Sequence, residues 1–229
     1  LLMKALDNKE KQKYRYPESD WNSYARLFAA VTTSVQLAVY HEACLHLQGD
    51  IVDCGCGSAK MAPFLADNEQ VSSYTGVDYS AEMVTAAEWV VGALERENFG
   101  IQHCKIEEAQ GTYNSAVSIQ SYYSWPEPLV TLKQIANLLV DGGTFVLATP
   151  NASLNLMHLL KDARKELLAH PDFETFQNYN LQLAANPQAN FVSMNELIQQ
   201  VQEVGFEVIE CHQKPFKGGL NFLVLRKKR

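Results

Sequence analysis

Hydrophobic positions along the chain change period several times, and the changes divide it into elements. From Asp20 to about Leu47 the apolar residues Tyr24, Leu27, Phe28, Val31, Val35, Leu37, Ala38 and Cys44 recur mostly at helical spacing, which predicts one long helix or two short ones with Ser19 or Asp20 as cap. IVDC then reads as a short strand, CGCGSAK as a glycine-rich turn, and the stretch to about Asn68 as a helix. YTGVD predicts a strand, and Ser80–Glu95 a helix with Met83, Ala87, Val90, Val91 and Leu94 on one side. The alternation continues through IQHC and AVSIQ as strands, a helix around Leu129–Leu139, a DGG turn and the strand TFVLAT.

Between Asn151 and Asn190 the pattern loosens into one helix, MHLLKDARKELLAH, and a polar segment with NYNLQLAANPQAN. SMNELIQQVQEVGF is strongly amphipathic, with Ser193 and Glu196 forming a capping box and Gly205 closing the helix. FEVIEC and LNFLVLR, joined through KGG, read as a closing hairpin whose last strand runs antiparallel. Strands alternating with helices indicate βαβ units and a parallel sheet covered on both faces. The expected domain plan is a helical cap over residues 1–48 and a ligand-binding domain over 49–229, with 151–190 as an insertion that lids the substrate. Residues 1–13 are charged and aperiodic, as in a frayed or adaptable arm.

Composition narrows the chemistry. With 229 residues, 47% hydrophobic and 20% charged, the chain fills one core and lies far from the disordered regime. The formal charge of −7 provides no global positive field, so nucleic acid is not an expected partner and the terminal RKKR reads as a solvated tail. No run reaches the roughly 20 apolar residues of a membrane helix. No secretion-type apolar stretch opens the sequence. Five cysteines, Cys44, Cys54, Cys56, Cys104 and Cys211, lack a disulfide or zinc spacing. A cytoplasmic protein without a metal site, monomeric or homodimeric, is the expectation.

The strongest chemical signal is Asp53-Cys54-Gly55-Cys56-Gly57-Ser58-Ala59 between a strand and a helix. Glycines there let a ligand approach the backbone, and Asp78, at the tip of the next strand, stands where an acid holds a ribose diol. A nicotinamide dinucleotide fingerprint would need a third glycine where Lys60 stands, and no phosphate-loop GxxxxGK[ST] occurs.

The series IVDCGCGSA, TGVDYSAEMV, LLVDGGTFVLATPN and SMNELIQQVQEVGFEVIE resembles the class I S-adenosylmethionine-dependent methyltransferases, in particular their small-molecule branch, over about Gly49 to Leu225. The resemblance implies an α/β, Rossmann-like doubly wound seven-stranded sheet with the last strand antiparallel. It places Asp53, Gly55, Cys56 and Gly57 around the methionine part of S-adenosyl-L-methionine, and Asp78 on the ribose hydroxyls. Tyr79 and Met83 fall beside ribose and adenine, Ile106 and Glu107 at adenine, and Gln120 and Ser121 below the sulfonium. The chain departs from the family pattern at Ala59, which replaces a third glycine, at Lys105, where an acid is common, and at Asn114.

The implied activity is methyl transfer to an O, N or C nucleophile of a small-molecule acceptor. Tyr122, Tyr123 and Trp125 would border the methyl, where aromatic faces favour a cationic sulfonium. His158 is the candidate base, with His41 and His46 behind it. Tyr14, Tyr16, Trp21 and Tyr24 are candidates for a segment folded over the cofactor. A member that binds the cofactor without methyl transfer, such as a cyclase or regulatory subunit, and a nicotinamide-dependent oxidoreductase are the rival readings.

Overall fold

The computed structural model describes residues 16–229; the charged arm over 1–13 and Tyr14 lie outside the described residues. Helices α1 (Glu18–Ala30) and α2 (Ser34–Cys44) precede an alternating series: β1 (Gly49–Cys54), α3 (Ala62–Ala66), β2 (Val71–Asp78), α4 (Ala81–Gly92), β3 (Phe99–His103), β4 (Tyr113–Ile119), α5 (Pro128–Leu138) and β5 (Leu139–Pro150). Then follow α6 (Leu156–Glu166), α7 (Phe173–Ala184), α8 (Met194–Glu203), β6 (Phe206–His212) and β7 (Leu220–Lys227). The sheet order is β3-β2-β1-β4-β5-β7-β6. Strand β7 inserts antiparallel between β5 and β6, and β1, β2, β3, β4 and β5 pair in parallel. The seven-stranded, doubly wound sheet with an antiparallel last strand is the architecture expected from the alternation.

Local differences have local causes. The first helical region breaks at Val31–Thr33, because Thr33 caps α2 through a box with Gln36. Helix α1 begins one residue after Pro17 rather than at Ser19 or Asp20, with proline occupying the N-cap position. The helix expected to run to Asn68 shrinks to Ala62–Ala66, because Ala59 adopts φ 55 and holds the chain in a left-handed turn. That conformation costs an L-residue about 1–2 kcal/mol, so alanine here is a strained occupant of a glycine position rather than the start of a helix. The DGG stretch lies inside β5, with Gly142 at φ 78 and a register shift opposite it between Tyr113 and Ser115. The polar segment after α6 carries a helix of its own, α7, stabilised by Phe173 and Phe176 on its buried side.

Apolar residues on the two sheet faces form two cores. One joins Ile51, Tyr74, Val117 and Phe222 to Val39, Ala43, Leu65, Ala87 and Val91 of α2, α3 and α4. The other joins Val52, Ala116, Phe145, Phe206 and Leu223 to Leu132, Ile135, Leu197 and Val201 of α5 and α8. Leu197 is fully buried there. Leu197→Ala is expected to cost about 3 kcal/mol in denaturant unfolding, the typical result of a core leucine truncation; a loss below about 1 kcal/mol would show that α8 does not dock on this face.

A third cluster lies above the carboxyl edge of the sheet. Tyr24, Ala25, Leu27 and Val31 pack with Met83, with Leu160 and Ala163 of α6, and with Phe173 and Phe176 of α7. Tyr24 stacks on Tyr179 with ring centroids 5.1 Å apart, and Asn180 Nδ2 donates to its hydroxyl at 3.1 Å. Ser34 N and Oγ donate to Glu166 at 2.7 and 2.9 Å. The N-terminal helices and the 151–190 insertion thus form one roof.

Candidate active site

Strand order reverses between β1 and β4, the switch point where open α/β sheets receive ligands at their carboxyl ends. A cavity of about 670 Å³ opens there under the roof. Its floor is built by the turn after β1, the tip of β2, the segment after β3 and the end of β4.

The turn is fixed by backbone bonds. Gly55 and Cys56 N–H both donate to Val77 O, at 2.8 and 3.0 Å, which leaves the following amides directed at the β2 tip. Asp78 Oδ2 accepts from Gly57 N at 2.9 Å, and its Oδ1 accepts from Ser80 N at 2.9 Å. Gly55 (φ 76) and Gly57 (φ 54) both take left-handed conformations. A Cβ on Gly55 would lie 2.1 Å from Ser121 Oγ, and one on Gly57 would lie 2.9 Å from a Phe28 ring carbon. The two glycines therefore form a cradle that side chains would fill.

Asp53 is buried and accepts from Tyr74 OH at 2.9 Å. Burial, reinforced by the nearby Asp78 charge and opposed by the Tyr74 bond, pushes its carboxyl up to about 7. Burial also raises Asp78, against the backbone bonds from Ser80, Gly57 and Tyr79 and the nearby His103. Both acids are thus destabilised as anions without a cation, a state that a positively charged ligand relieves. Cys54 and Cys56 are buried and their thiols are pushed well up, so they act as small apolar residues. Among the described residues no three His, Cys, Asp or Glu side chains gather at metal-binding distances.

Asp53, Gly55, Cys56, Gly57, Asp78, Tyr79, Met83, Ile106, Glu107, Gln120 and Ser121 all line this one cavity. Glu107 is held by the Thr131 hydroxyl, and Gln120, at φ 57, accepts from Gln36 Nε2 at 3.3 Å. Tyr123 and Trp125 line it as well, with Trp125 Nε1 donating to Ser121 Oγ at 2.9 Å. From the N-terminal segment Tyr16, Trp21 and Tyr24 reach it; Tyr16 meets Trp21 and Tyr123 ring to ring at 5.6 and 5.7 Å, and Tyr79 OH donates to Tyr16 O at 3.0 Å.

Four expected residues fall outside. Tyr122 turns into the core beneath α8, where it is fully buried and its hydroxyl donates to Gln200 at 2.6 Å; the short 3₁₀ turn Tyr122–Ser124 sends neighbouring side chains in opposite directions. His158 lies on the exposed side of α6, 3.1 Å from Lys217 Nζ, because the amphipathic helix turns Leu156, Leu159 and Leu160 inward instead. His41 and His46 pack on Phe64 and Phe222, so no histidine among the described residues lines the cavity.

Other lining residues went unnoticed in the sequence. Gln36 and Tyr40 of α2, Phe28, Asn180, Phe191 and Phe216 reach the cavity from elements whose periodicity only marks a packed face. Lys60, legible only as the residue that spoils a dinucleotide fingerprint, lines it too.

A floor of turn glycines, with an acid at each of two adjacent strand tips, thus lies under an aromatic and apolar roof. The methyltransferase-domain family model matches residues 24–211, and the chain belongs to that family. A relative among curated proteins, an uncharacterized chloroplastic methyltransferase of Arabidopsis thaliana, is 22% identical over 143 residues, 58% of this chain and 40% of the relative; the chain thus spans well under half of that relative's length. Among solved structures, a chain of the complex between the Haloferax volcanii Trm112 methyltransferase activator and a methyltransferase superposes with a TM-score of 0.66 at 15% identity, over 91% of this chain and 98% of that one. The mycolic acid cyclopropane synthase CmaA1, solved with S-adenosylhomocysteine, gives 0.62 at 15% identity over 84% of both chains. The cyclase SpnF gives 0.62 at 14% identity, over 85% and 80%. These likenesses establish the fold. No described helix is long and apolar enough to cross a membrane.

Proposed function

We propose that this protein transfers the methyl group of S-adenosylmethionine to an O, N or C nucleophile of a small molecule with an apolar body. The observation that carries this reading is the division of the cavity: the buried Asp53, the half-buried Asp78 and the glycine cradle on the floor, and Leu156, Leu160, Phe176, Leu183 and Phe191 on the roof. The cofactor supplies a methyl group activated on a cationic sulfur. Asp53 stands within the cradle as a partner for the amino end of its methionine part, and Asp78 offers its remaining lone pairs to the ribose hydroxyls. The aromatic wall formed by Tyr123 and Trp125 favours a sulfonium over water.

In-line displacement on so activated an electrophile is served mainly by holding donor and acceptor in contact in a dry space. The roof of α1, α6 and α7 excludes water and presents the apolar contacts that select an acceptor, so the described residues 16–48 and the segment 151–190 act together as the specificity lid. Where the acceptor is a hydroxyl or an amine its proton must leave as well, and no histidine among the described residues lines the cavity to take it.

The test is release of S-adenosylhomocysteine from S-adenosylmethionine with a panel of apolar hydroxyl, amine and carbon-nucleophile (enolisable) acceptors. Turnover with none of them, alongside tight cofactor binding, would favour a non-methylating role. Stabilisation against heat by NAD and not by S-adenosylmethionine would overturn the cofactor assignment. Asp78→Ala is expected to weaken S-adenosylhomocysteine binding by about 1–3 kcal/mol, the worth of hydrogen bonds to a charged group, and calorimetry showing unchanged affinity would remove Asp78 from the ribose.

A further inference from the structure

Lys60 is the cation of the turn that follows β1, and nothing in the proposed methyl-transfer chemistry uses it. Its side chain crosses from the turn to the linker between α1 and α2, where Nζ donates to Val31 O at 2.6 Å and lies 4.0 Å from the centroid of the Phe28 ring. Among the described residues no carboxylate lies within ion-pair distance of it, although Asp53 and Asp78 line the same cavity. An ammonium carries three donors; one goes to Val31, and the others have no acceptor among the described residues. Phe28, whose ring carries the ammonium, also touches the space beside Gly57, so the ring is a contact shared by the ammonium and the cradle. Burial without a counter-ion lowers Lys60 to about 7. A ligand anion would favour its charged form again and take up the donors that Val31 does not use.

We propose that Lys60 is the carboxylate-binding residue of this cavity. Two sources of that carboxylate exist, the amino-acid end of the cofactor and the head of an amphipathic acid whose apolar body fits under the roof. The cofactor source rests on the methyltransferase reading; the second does not.

Calorimetry on the full chain, wild type, Lys60→Met and Lys60→Arg, tests it with three probes: S-adenosylhomocysteine, 5′-methylthioadenosine, which lacks the amino-acid end, and decanoate. If the cofactor is the source, Lys60→Met weakens S-adenosylhomocysteine at least tenfold, leaves 5′-methylthioadenosine within twofold, and Lys60→Arg recovers most of the loss. If an amphipathic acid is the source, Lys60→Met leaves S-adenosylhomocysteine unchanged and weakens decanoate at least tenfold. Unchanged affinity for both carboxylates, an equal loss for S-adenosylhomocysteine and 5′-methylthioadenosine, or wild-type protein that binds neither carboxylate overturns the proposal. Wild-type protein that binds decanoate and not S-adenosylhomocysteine defeats the cofactor reading alone and leaves the decanoate arm to decide on Lys60. Should Lys60→Met not fold, Lys60→Gln replaces it with the same expectations.

Discussion

Gly55→Ala is expected to lower affinity for S-adenosylhomocysteine by about 100-fold while the protein remains folded. The added Cβ would lie 2.1 Å from Ser121 Oγ and 2.7 Å from Ser121 Cβ. Ser121 cannot easily retreat, because its hydroxyl accepts from Trp125 Nε1 and its carbonyl from Ser124 N and Oγ. The φ of 76 at Gly55 adds about 1–2 kcal/mol for any L-residue, and the overpacking adds about 1–3 kcal/mol. Relief requires the turn after β1 or the 121–125 loop to move, and both form the cavity floor. Gly142→Ala is the control: its φ is 78, yet an added Cβ meets nothing within 4 Å. That variant is expected to lose about 1–2 kcal/mol of stability with affinity unchanged. Equal affinities for wild type and Gly55→Ala would show that the turn does not cradle the ligand.

Asp53→Asn is expected to stabilise the ligand-free protein at pH 8 and to weaken ligand binding there. The folded carboxyl is held at about 7, above its value near 4 in an unfolded chain. Between those values the folded state retains a proton that the unfolded state has lost, so stability falls as pH rises from about 4 to about 7 and is flat above. Asparagine removes the buried charge and can still accept from Tyr74. A gain on the order of 2 kcal/mol corresponds to roughly 4–8 °C in melting temperature for a chain of this size. Binding moves the other way. Only the ionised carboxyl attracts the amino group of S-adenosylhomocysteine, and its ionised fraction grows about tenfold from pH 6 to pH 8. Lys60 titrates in the same range with the opposite sign, but it is common to both proteins. The ratio of wild-type to Asp53→Asn affinity therefore isolates Asp53, and should rise about tenfold across that interval. A constant ratio would remove Asp53 from contact with the amino group.

Much of the cavity floor is legible in the sequence because β-strands deliver their next residues to a predictable place. Once IVDC and YTGVD are read as adjacent parallel strands, Asp53 and Asp78 must stand at the same edge, and Gly55, Gly57 and Ser80 must follow them into the same turns. Ile106, Glu107, Gln120 and Ser121 come instead from the family resemblance, which matches them to the segments after β3 and β4. The aromatic triplet shows where it fails: Tyr122, Tyr123 and Trp125 are close in sequence, yet a 3₁₀ turn sends Tyr122 to the core and Tyr123 to the cavity, with Trp125 on the border, packed edge-on to Tyr122. Nothing in the local pattern separates them.

His158 failed for a related reason. Its chemistry drew attention, but the orientation of α6 is set by Leu156, Leu160 and Ala163 seeking the roof cluster, and that leaves His158 on the solvent side beside Lys217. Helix α7 was hidden because its polar residues, Asn178, Asn180 and Gln182, mask the few apolar ones that bury. The left-handed turn at Ala59 is not legible, because sequence gives a residue's volume and not its φ.

The sequence by itself determined the alternation of strands and helices, the covered parallel sheet, and the glycine turn with its two acids, since period, turn chemistry and strand tips are local properties. The tertiary structure alone decided which distant helices meet above that turn. Packing α1 against α6 and α7 closes the apolar roof, and the break at Val31 brings a backbone carbonyl to Lys60. These are contacts between segments far apart in the chain, chosen by the burial of whole faces, and no single segment carries them.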